Sequence, residues 1–474
     1  MKLENIEPTL VFKYFEEISQ IPRASGNELG ISNYLVKFAN DRNLEVIQDE
    51  KLNVIIRKKA SIGYENSKAI ILQGHMDMVP EKGEHSTHDF EKDPIELVVE
   101  DDTLHANDTT LGADDGIGVA MALAVLDDDN ILHGPLEVLV TVSEETDLGG
   151  ALALSDSVLK GDYLINIDSE EEGIMTVGSA GGELYTGYFT PEITSISNEY
   201  KSYEFNFTGL TGGHSGNEIA NPKGNMIVVM ADFISKLSDS MLIDFSCGTK
   251  DNAIPRMGKL KIALKNVDNI NLVFEELYEK YKNLDGKLSI SYNEMNNPST
   301  AQSSISTAKF AEYLLSLPTG VNSFIDEKNK IVASSSNLAI VTKKDNSAYE
   351  VWNSIRFSAE SLLDDFKNKF NEVSKNYPVT FNYSNYYPEW EYKKESEFRE
   401  IAMNLYEKMY NKKMTLEITH GGLECGVFYV KYKNLDMISI GPDIRGAHTT
   451  TESLSISSTK RVYDYLIELL KSLK

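Results

Sequence analysis

An α/β fold is predicted, a mostly parallel mixed sheet flanked by helices, with an α+β segment inserted into it. Three observations predict it. Short apolar runs of strand length alternate with helix-length segments through the first third of the chain and again after Pro388, the pattern of strand–helix–strand units and hence of parallel strands. Between them, residues 186–387 change character to half-exposed strands and amphipathic helices. Finally, 474 residues with 41% hydrophobic and 25% charged side chains are globular proportions, enough for two large domains or about three ordinary ones.

Residues 10–21 carry apolar side chains at helical spacing and stop at Pro22; residues 27–40 form a second helix candidate. The runs 54–56, 69–72, 136–142 and 163–167 have the length of buried strands, and 116–126 reads as an apolar helix among them. In the insert, 203–207 alternates like a half-exposed strand and 225–237 is a helix candidate. A weak internal similarity follows. Strand 259–264, helix 269–282 and strand 288–292 recur in order as 351–357, 361–375 and 379–383, ending in the related LSISYNE and VTFNYSN. This suggests an α+β domain of two similar halves. Helix 395–410, strand 435–440 and helix 458–473 return to the first style.

Charge and cysteine content narrow the function. With 46 Lys and Arg against 73 Asp and Glu, the net charge is −27. Such a surface repels phosphate backbones and anionic membranes, so neither nucleic acid nor membrane is expected as a partner. Two cysteines, Cys247 and Cys425, exclude a disulfide framework. The first residues lack a basic-then-apolar signal, and no apolar run reaches the ~18 residues of a membrane span, so a cytoplasmic protein is expected.

The chemistry collects at strand ends. The run 69–72 is followed by Gln73-Gly74-His75-Met76-Asp77, 136–142 by Ser143-Glu144-Glu145, 163–167 by Asp168, and 435–440 by Gly441-Pro442 with His448 a loop further on. Ligands of open α/β sheets bind beyond the carboxyl ends of strands. In His75-x-Asp77 both side chains can face one cleft, the carboxylate orienting the imidazole; alone, the pair is ordinary surface chemistry. Asp114-Asp115 precedes the apolar helix, where an acid is either a plain N-cap or a carboxylate presented to a cleft. Adjacent carboxylates at Glu144-Glu145 repel unless cations or protons intervene. Together, His75, Asp114, Glu144-Glu145, Asp168 and His448 form a nitrogen and oxygen donor set that suits Zn²⁺, Co²⁺ or Mn²⁺, enough for two ions if one carboxylate bridges.

At these residues the sequence resembles metallopeptidase family M20, in its aminoacyl-histidine (cytosol non-specific) dipeptidase branch. The blocks run nearly end to end: Ile21-Pro22-Arg23-Ala24-Ser25-Gly26-Asn27-Glu28, the His75 and Asp114 segments, Ser143-Glu144-Glu145, Asn166-Ile167-Asp168-Ser169-Glu170-Glu171-Glu172-Gly173, Gly212-Gly213-His214-Ser215-Gly216, Asn252-Ala253-Ile254-Pro255-Arg256, His420-Gly421-Gly422-Leu423-Glu424-Cys425-Gly426 and Gly441-Pro442-Asp443-Ile444-Arg445-Gly446-Ala447-His448.

The resemblance implies a di-metal catalytic domain over 1–185 and 388–474 and a lid over 186–387 that closes on substrate and carries a homodimer contact. One ion would take His75 and Asp168, the other Glu145 and His448. Asp114 would bridge them, with a cis peptide to Asp115. Asp77 would orient His75, Glu144 would be the general base, and a cationic His214 would stabilise the oxyanion from its own subunit or its partner's. Asn252, Asn337 and Arg356 would hold substrate, with His420 and Glu424 near the site. The implied activity is hydrolysis of unblocked dipeptides, Xaa-His among them, with two zinc ions, cobalt and manganese being alternatives. A tripeptidase or N-acyl amino acid amidohydrolase would use the same chemistry, whereas a non-catalytic peptide-binding protein would have no reason to retain five ligands. Asp108 stands where the family has Gly, Asp115 where this branch often has Asn, and Thr449-Thr450-Thr451-Glu452 replaces Ser-Pro-Asp-Glu.

Overall fold

The computed structural model describes residues 3–284, 286–344 and 347–474. It divides into two compact units. The first holds the described residues up to Ser179 with Trp390–Ile418 and Leu423–Lys474; the second holds Ala180–Glu389 and Thr419–Gly422.

The first unit is built on a mixed sheet whose strands lie in the order Glu45–Gln48, Val54–Lys58, Leu136–Thr141, Ile70–His75, Tyr163–Asn166, Asp436–Ser439, Ile174–Ser179 and Thr415–Thr419. The parallel part is the centre: Ile70–His75 runs parallel to both Leu136–Thr141 and Tyr163–Asn166, and the latter runs parallel to Asp436–Ser439. The outer pairings flanking these four are antiparallel. All six residues of Ile70–His75 and of Leu136–Thr141 are buried, which is why they read as continuous apolar runs rather than alternating ones.

Helix Ala113–Asp127 is apolar all round, and 116–126 are buried without exception, as a helix enclosed by its own domain must be. It begins three residues before the expected start, and Asp114 and Asp115 inside it keep non-helical φ/ψ. The peptide between them is cis. Helix Thr9–Ser19 buries Val11, Phe12, Phe15 and Ile18 in the same core; each such side chain contributes roughly 1.5–3 kcal/mol. A smaller antiparallel sheet orders Ile444–Arg445, Ser453–Ser455, Thr103–Ala106 and Leu97–Glu100, so the loop carrying His448 is the tip of a hairpin.

The second unit has a larger antiparallel sheet, and the weak repeat in the sequence is built into it. Its strand order is Ser289–Met295, Lys201–Thr208, Gly258–Leu264, Met241–Cys247, Ile331–Lys343, Tyr349–Phe357, Gly181–Phe189 and Val379–Tyr387. The two halves mirror each other about the Cys247–Val341 pairing. In each, a strand feeds a helix (Ile270–Tyr281 or Glu360–Ser374) and the chain returns as the edge strand, two positions further out, beyond Lys201–Thr208 or Gly181–Phe189.

The 13-residue strand Ile331–Lys343 went unseen in the sequence, because Ser334-Ser335-Ser336 interrupts its apolar pattern. These serines are nevertheless buried: Ser336 bonds Asn353, and Ser335 bonds His420 at 2.7 Å. Asp108 has φ +56°, which explains glycine's usual place there; aspartate is among the few side chains that tolerate that conformation.

Candidate di-metal site

Four central strands running the same way deliver their carboxyl ends to one edge of the sheet. His75 closes its own strand, Glu144 and Glu145 open the short helix Glu144–Asp147 after the next, and Asp168 follows the third. His448 comes from the hairpin loop and Asp114 from the start of the buried helix.

The geometry centres on Asp114. Its Oδ1 lies 3.1 Å from His75 Nε2, which is also 3.4 Å from Asp168 Oδ1. Its Oδ2 lies 3.1 Å from His448 Nε2, which is 2.9 Å from Glu145 Oε2. Two donor clusters therefore share one carboxylate, one oxygen each. In each of the sets His75–Asp114–Asp168 and Asp114–Glu145–His448, ligand atoms lie within 4.8 Å of one another. Donors 2.0–2.2 Å from a tetrahedral ion stand roughly 3.3–3.6 Å apart, so both sets fit an ion. His75, Glu144 and Glu145 make a third such set, which puts Glu144 within reach of the same centre.

Electrostatics point the same way. Burial alone would lower the His75 pKa, yet Asp168, Asp114 and Asp77 hold it well above its ordinary value. Hydrogen bonds to Asp114 and Glu145 push His448 up to about 11. Burial and the Asp114 charge push Glu145 up to about 7, and its Oε1 is buried without a hydrogen-bond partner. Asp114, despite burial, is held well below the carboxylate range by His448 and His75. The cluster thus draws positive charge to two places, where protons would otherwise have to sit. Glu144 is raised well above the usual range by burial, with Asp168 and Glu145 adding to it.

Asp77 acts mainly on its surroundings. His75 Nδ1 is nearer the Asp77 backbone carbonyl (3.1 Å) than its carboxylate (3.5 Å). A carbonyl only accepts, so Nδ1 carries the proton and Nε2 is the nitrogen left to face a metal. The carboxylate instead takes the backbone N–H groups of Glu144 (3.0 Å) and Glu145 (3.3 Å) and the Ser25 hydroxyl (2.8 Å), fixing the turn that bears both glutamates.

Glu424 departs from its expected substrate-binding place. It is fully buried, accepting from Gln73 Nε2 (2.5 Å) and Thr141 Oγ1 (2.7 Å), and burial pushes its pKa up to about 8. With Asn166, which donates to Gln73 at 2.6 Å and accepts from Ser439 at 2.5 Å, it forms a polar layer across four strands. That layer went unrecognised in the sequence, since nothing in a local pattern tells a buried glutamate from a solvated one.

The remaining expected residues gather in the second unit. His214 Nδ1 accepts from the backbone N–H of Gly216 and Asn217, each at 3.2 Å. With Nδ1 accepting, Nε2 is the ring nitrogen left to donate. Asn252 is exposed, and its carbonyl accepts from Ser215 in the His214 loop at 2.8 Å. Asn337 is buried and braces that segment, donating to the carbonyls of Asp251 (3.2 Å) and Ala253 (2.9 Å), while its Oδ1 has no hydrogen-bond partner. Arg356 donates to Tyr387 Oη and to the His420 carbonyl, both at 3.2 Å.

Burial, with the Arg356 charge beside it, pushes the His420 pKa down to about 3. A depressed histidine contributes stability that is complete above its unfolded pKa near 6.5 and is lost as pH falls below it, at about 1.4 kcal/mol per pH unit. The gap between the parent and H420Q in urea midpoint-derived stability should therefore narrow by about 2 kcal/mol from pH 6.5 to pH 5.

The sequence profile of peptidase family M20/M25/M40 matches residues 71–472. The chain belongs to peptidase family M20. Over its full length this M20 chain is 36% identical to the cytosol non-specific dipeptidase of Escherichia coli (strain K12), covering 99% of that protein. Its fold matches that of an aminoacylhistidine dipeptidase from Vibrio alginolyticus with a TM-score of 0.85 at 33% identity, covering 99% of this chain and 98% of the other. The aminopeptidase PepT of Bacillus cereus shares the M20 fold at a TM-score of 0.57 and 16% identity, covering 99% of each chain. Among the described residues no helix is long and apolar enough to cross a membrane.

Proposed function

We propose that this chain is a di-metal dipeptidase that hydrolyses unblocked dipeptides, Xaa-His dipeptides among them. The observation that carries the reading is the divided Asp114 carboxylate, one oxygen toward His75 and Asp168 and the other toward His448 and Glu145. The substrate class rests on the full-length likeness to a dipeptidase. His75, Asp168 and Asp114 would hold one divalent ion and Asp114, Glu145 and His448 the other. Zinc best suits this nitrogen and oxygen set; cobalt and manganese share it. When bound, such a pair polarises a scissile carbonyl and acidifies water.

The chain's own groups do the rest. Glu144 takes the proton of the attacking water and returns it to the leaving amine, a task suited to a carboxylate whose pKa is raised by burial. The Nε2–H of His214 is a donor suited to a developing oxyanion. Arg356, whose Nε is buried without a hydrogen-bond partner, suits the terminal carboxylate of a short peptide. Asn252 and the unpartnered Oδ1 of Asn337 suit its backbone. We assign residues 1–185 and 388–474 to catalysis and 186–387 to a lid that carries a homodimer contact, in a cytosolic enzyme.

The test is hydrolysis of a panel including β-Ala-His and Gly-Gly-Gly, after chelation and readdition of single metals. Cleavage confined to dipeptides and dependent on metal is expected. Tripeptide or N-acyl amino acid cleavage in its place would move the enzyme within its family, and no turnover with any metal would refute the reading.

A further inference from the structure

Two buried charged residues with no assigned role, Arg23 and Glu452, meet at the turn that presents Asp114. Each is 2% exposed. Glu452 accepts four successive backbone N–H groups: Leu111 (2.7 Å) and Gly112 (2.9 Å) on Oε2, Ala113 (2.8 Å) and Asp114 (3.2 Å) on Oε1. Gly112 has φ +70°, which turns successive amides toward one point and makes an anion-binding concavity at the helix start. Here the anion is supplied by the chain itself.

Arg23 closes the frame from the other side. Nη1 donates to the carbonyls of Met76 (3.0 Å) and Asp77 (3.2 Å), just after His75, and Nη2 donates to the Gly112 carbonyl (2.5 Å). A methyl group at Gly112 or Gly116 would lie 2.5 Å from Nη2, so these glycines make room for the guanidinium. Burying a charged side chain is costly unless its polar atoms are hydrogen-bonded. What these two side chains do is specific: their hydrogen bonds go to the backbone of segments that bear Asp114, His75 or Asp77.

We propose that Glu452 and Arg23 are positioning residues that hold the Asp114 carboxylate between the two donor clusters, with Glu452 coupling it to His448. The coupling follows from the hairpin. Glu452 lies four residues after His448, its N–H donates to the Thr449 carbonyl at 3.1 Å, and its carboxylate grips the Asp114 turn. Losing that grip loosens two of the three ligands of the Asp114–Glu145–His448 set. In the other set it loosens Asp114 alone, because Arg23 still holds the backbone beyond His75. This inference rests on the di-metal reading above.

Chelated and reconstituted protein separates the two, with Co²⁺ titrated by calorimetry and by visible absorption into the parent, E452Q and D102N. An amide cannot accept from four amides with one oxygen, so E452Q retains the volume of Glu452 and loses the grip. Asp102 binds Ser455 and Ser457 at the far end of the same hairpin and serves as the structural control. The parent and D102N should bind two ions. E452Q should bind one with little loss of affinity and the second about 10–100-fold more weakly, with kcat falling by a similar factor and KM nearly unchanged.

Parental binding of both ions by E452Q would overturn the proposal, as would equal weakening of both. If E452Q does not fold, E452D, which keeps the charge but shortens its reach, carries the same test. Failure of both variants to fold would also overturn it, because upkeep of the fold would then account for the pair. A parent that binds fewer than two ions would instead refute the di-metal reading itself.

Discussion

Replacing Glu144 with alanine is expected to lower kcat by about 10²–10⁴-fold, the usual contribution of a positioned general base. Two positions have been open to this residue, since it lies in one donor set with His75 and Glu145 as well as beside the two-cluster centre. The substitution separates them. A base is lost without loss of metal, so E144A should still bind two ions with parental affinity, and KM should change little. A ligand is lost with its ion, so a fall from two ions to one would move Glu144 into the coordination shell. Near-parental kcat with both ions bound would remove it from the mechanism. The substitution should not unfold the protein: it deletes one of several crowded carboxylates whose charged form is opposed by burial and by Asp168 and Glu145.

Asp114→Asn is expected to abolish turnover to assay background and to reduce bound metal from two ions to at most one. The reason is atomic. Oδ1 serves the His75 side and Oδ2 the His448 side, each at 3.1 Å. An amide keeps one oxygen for one side and presents an NH₂ group, which cannot ligate, to the other. Metal analysis after gel filtration reads this directly. Added zinc should also protect D114N less against heat. An ion that binds only the folded state stabilises by RT ln(1 + [L]/Kd), about 4 kcal/mol at a thousandfold excess over Kd, and the variant forfeits one such increment. Retention of two ions and of activity by D114N would refute a bridging role.

Much of this site was legible because its candidate ligands obey a positional rule. Parallel strands point one way, so an acid or histidine just after each apolar run lands on the same edge, and His75, Glu145 and Asp168 could be read off in that manner. Asp114 and His448 lie outside that rule. Taken alone, the first reads more readily as an N-cap than as a ligand, and the second sits in a hairpin tip with φ +61°; only beside the other donors do they stand out. The weak repeat of LSISYNE and VTFNYSN was visible because both copies form the edge strands of one sheet.

Other features had no local trace. The sequence offers an arginine at 23 and glutamates at 424 and 452 among 119 charged residues counted as 46 and 73, and most such side chains are solvated. Burial of these three, and the bonds they make to segments 53 to 351 residues away, exist only once the chain is folded. The same holds for the orientation of the His214 ring, which two backbone amides fix at Nδ1. Residue type and strand order were enough to establish the kind of chemistry and the edge where it gathers. Which oxygen faces which imidazole, and which carboxylates serve the frame rather than the reaction, follow from long-range packing that no local pattern encodes.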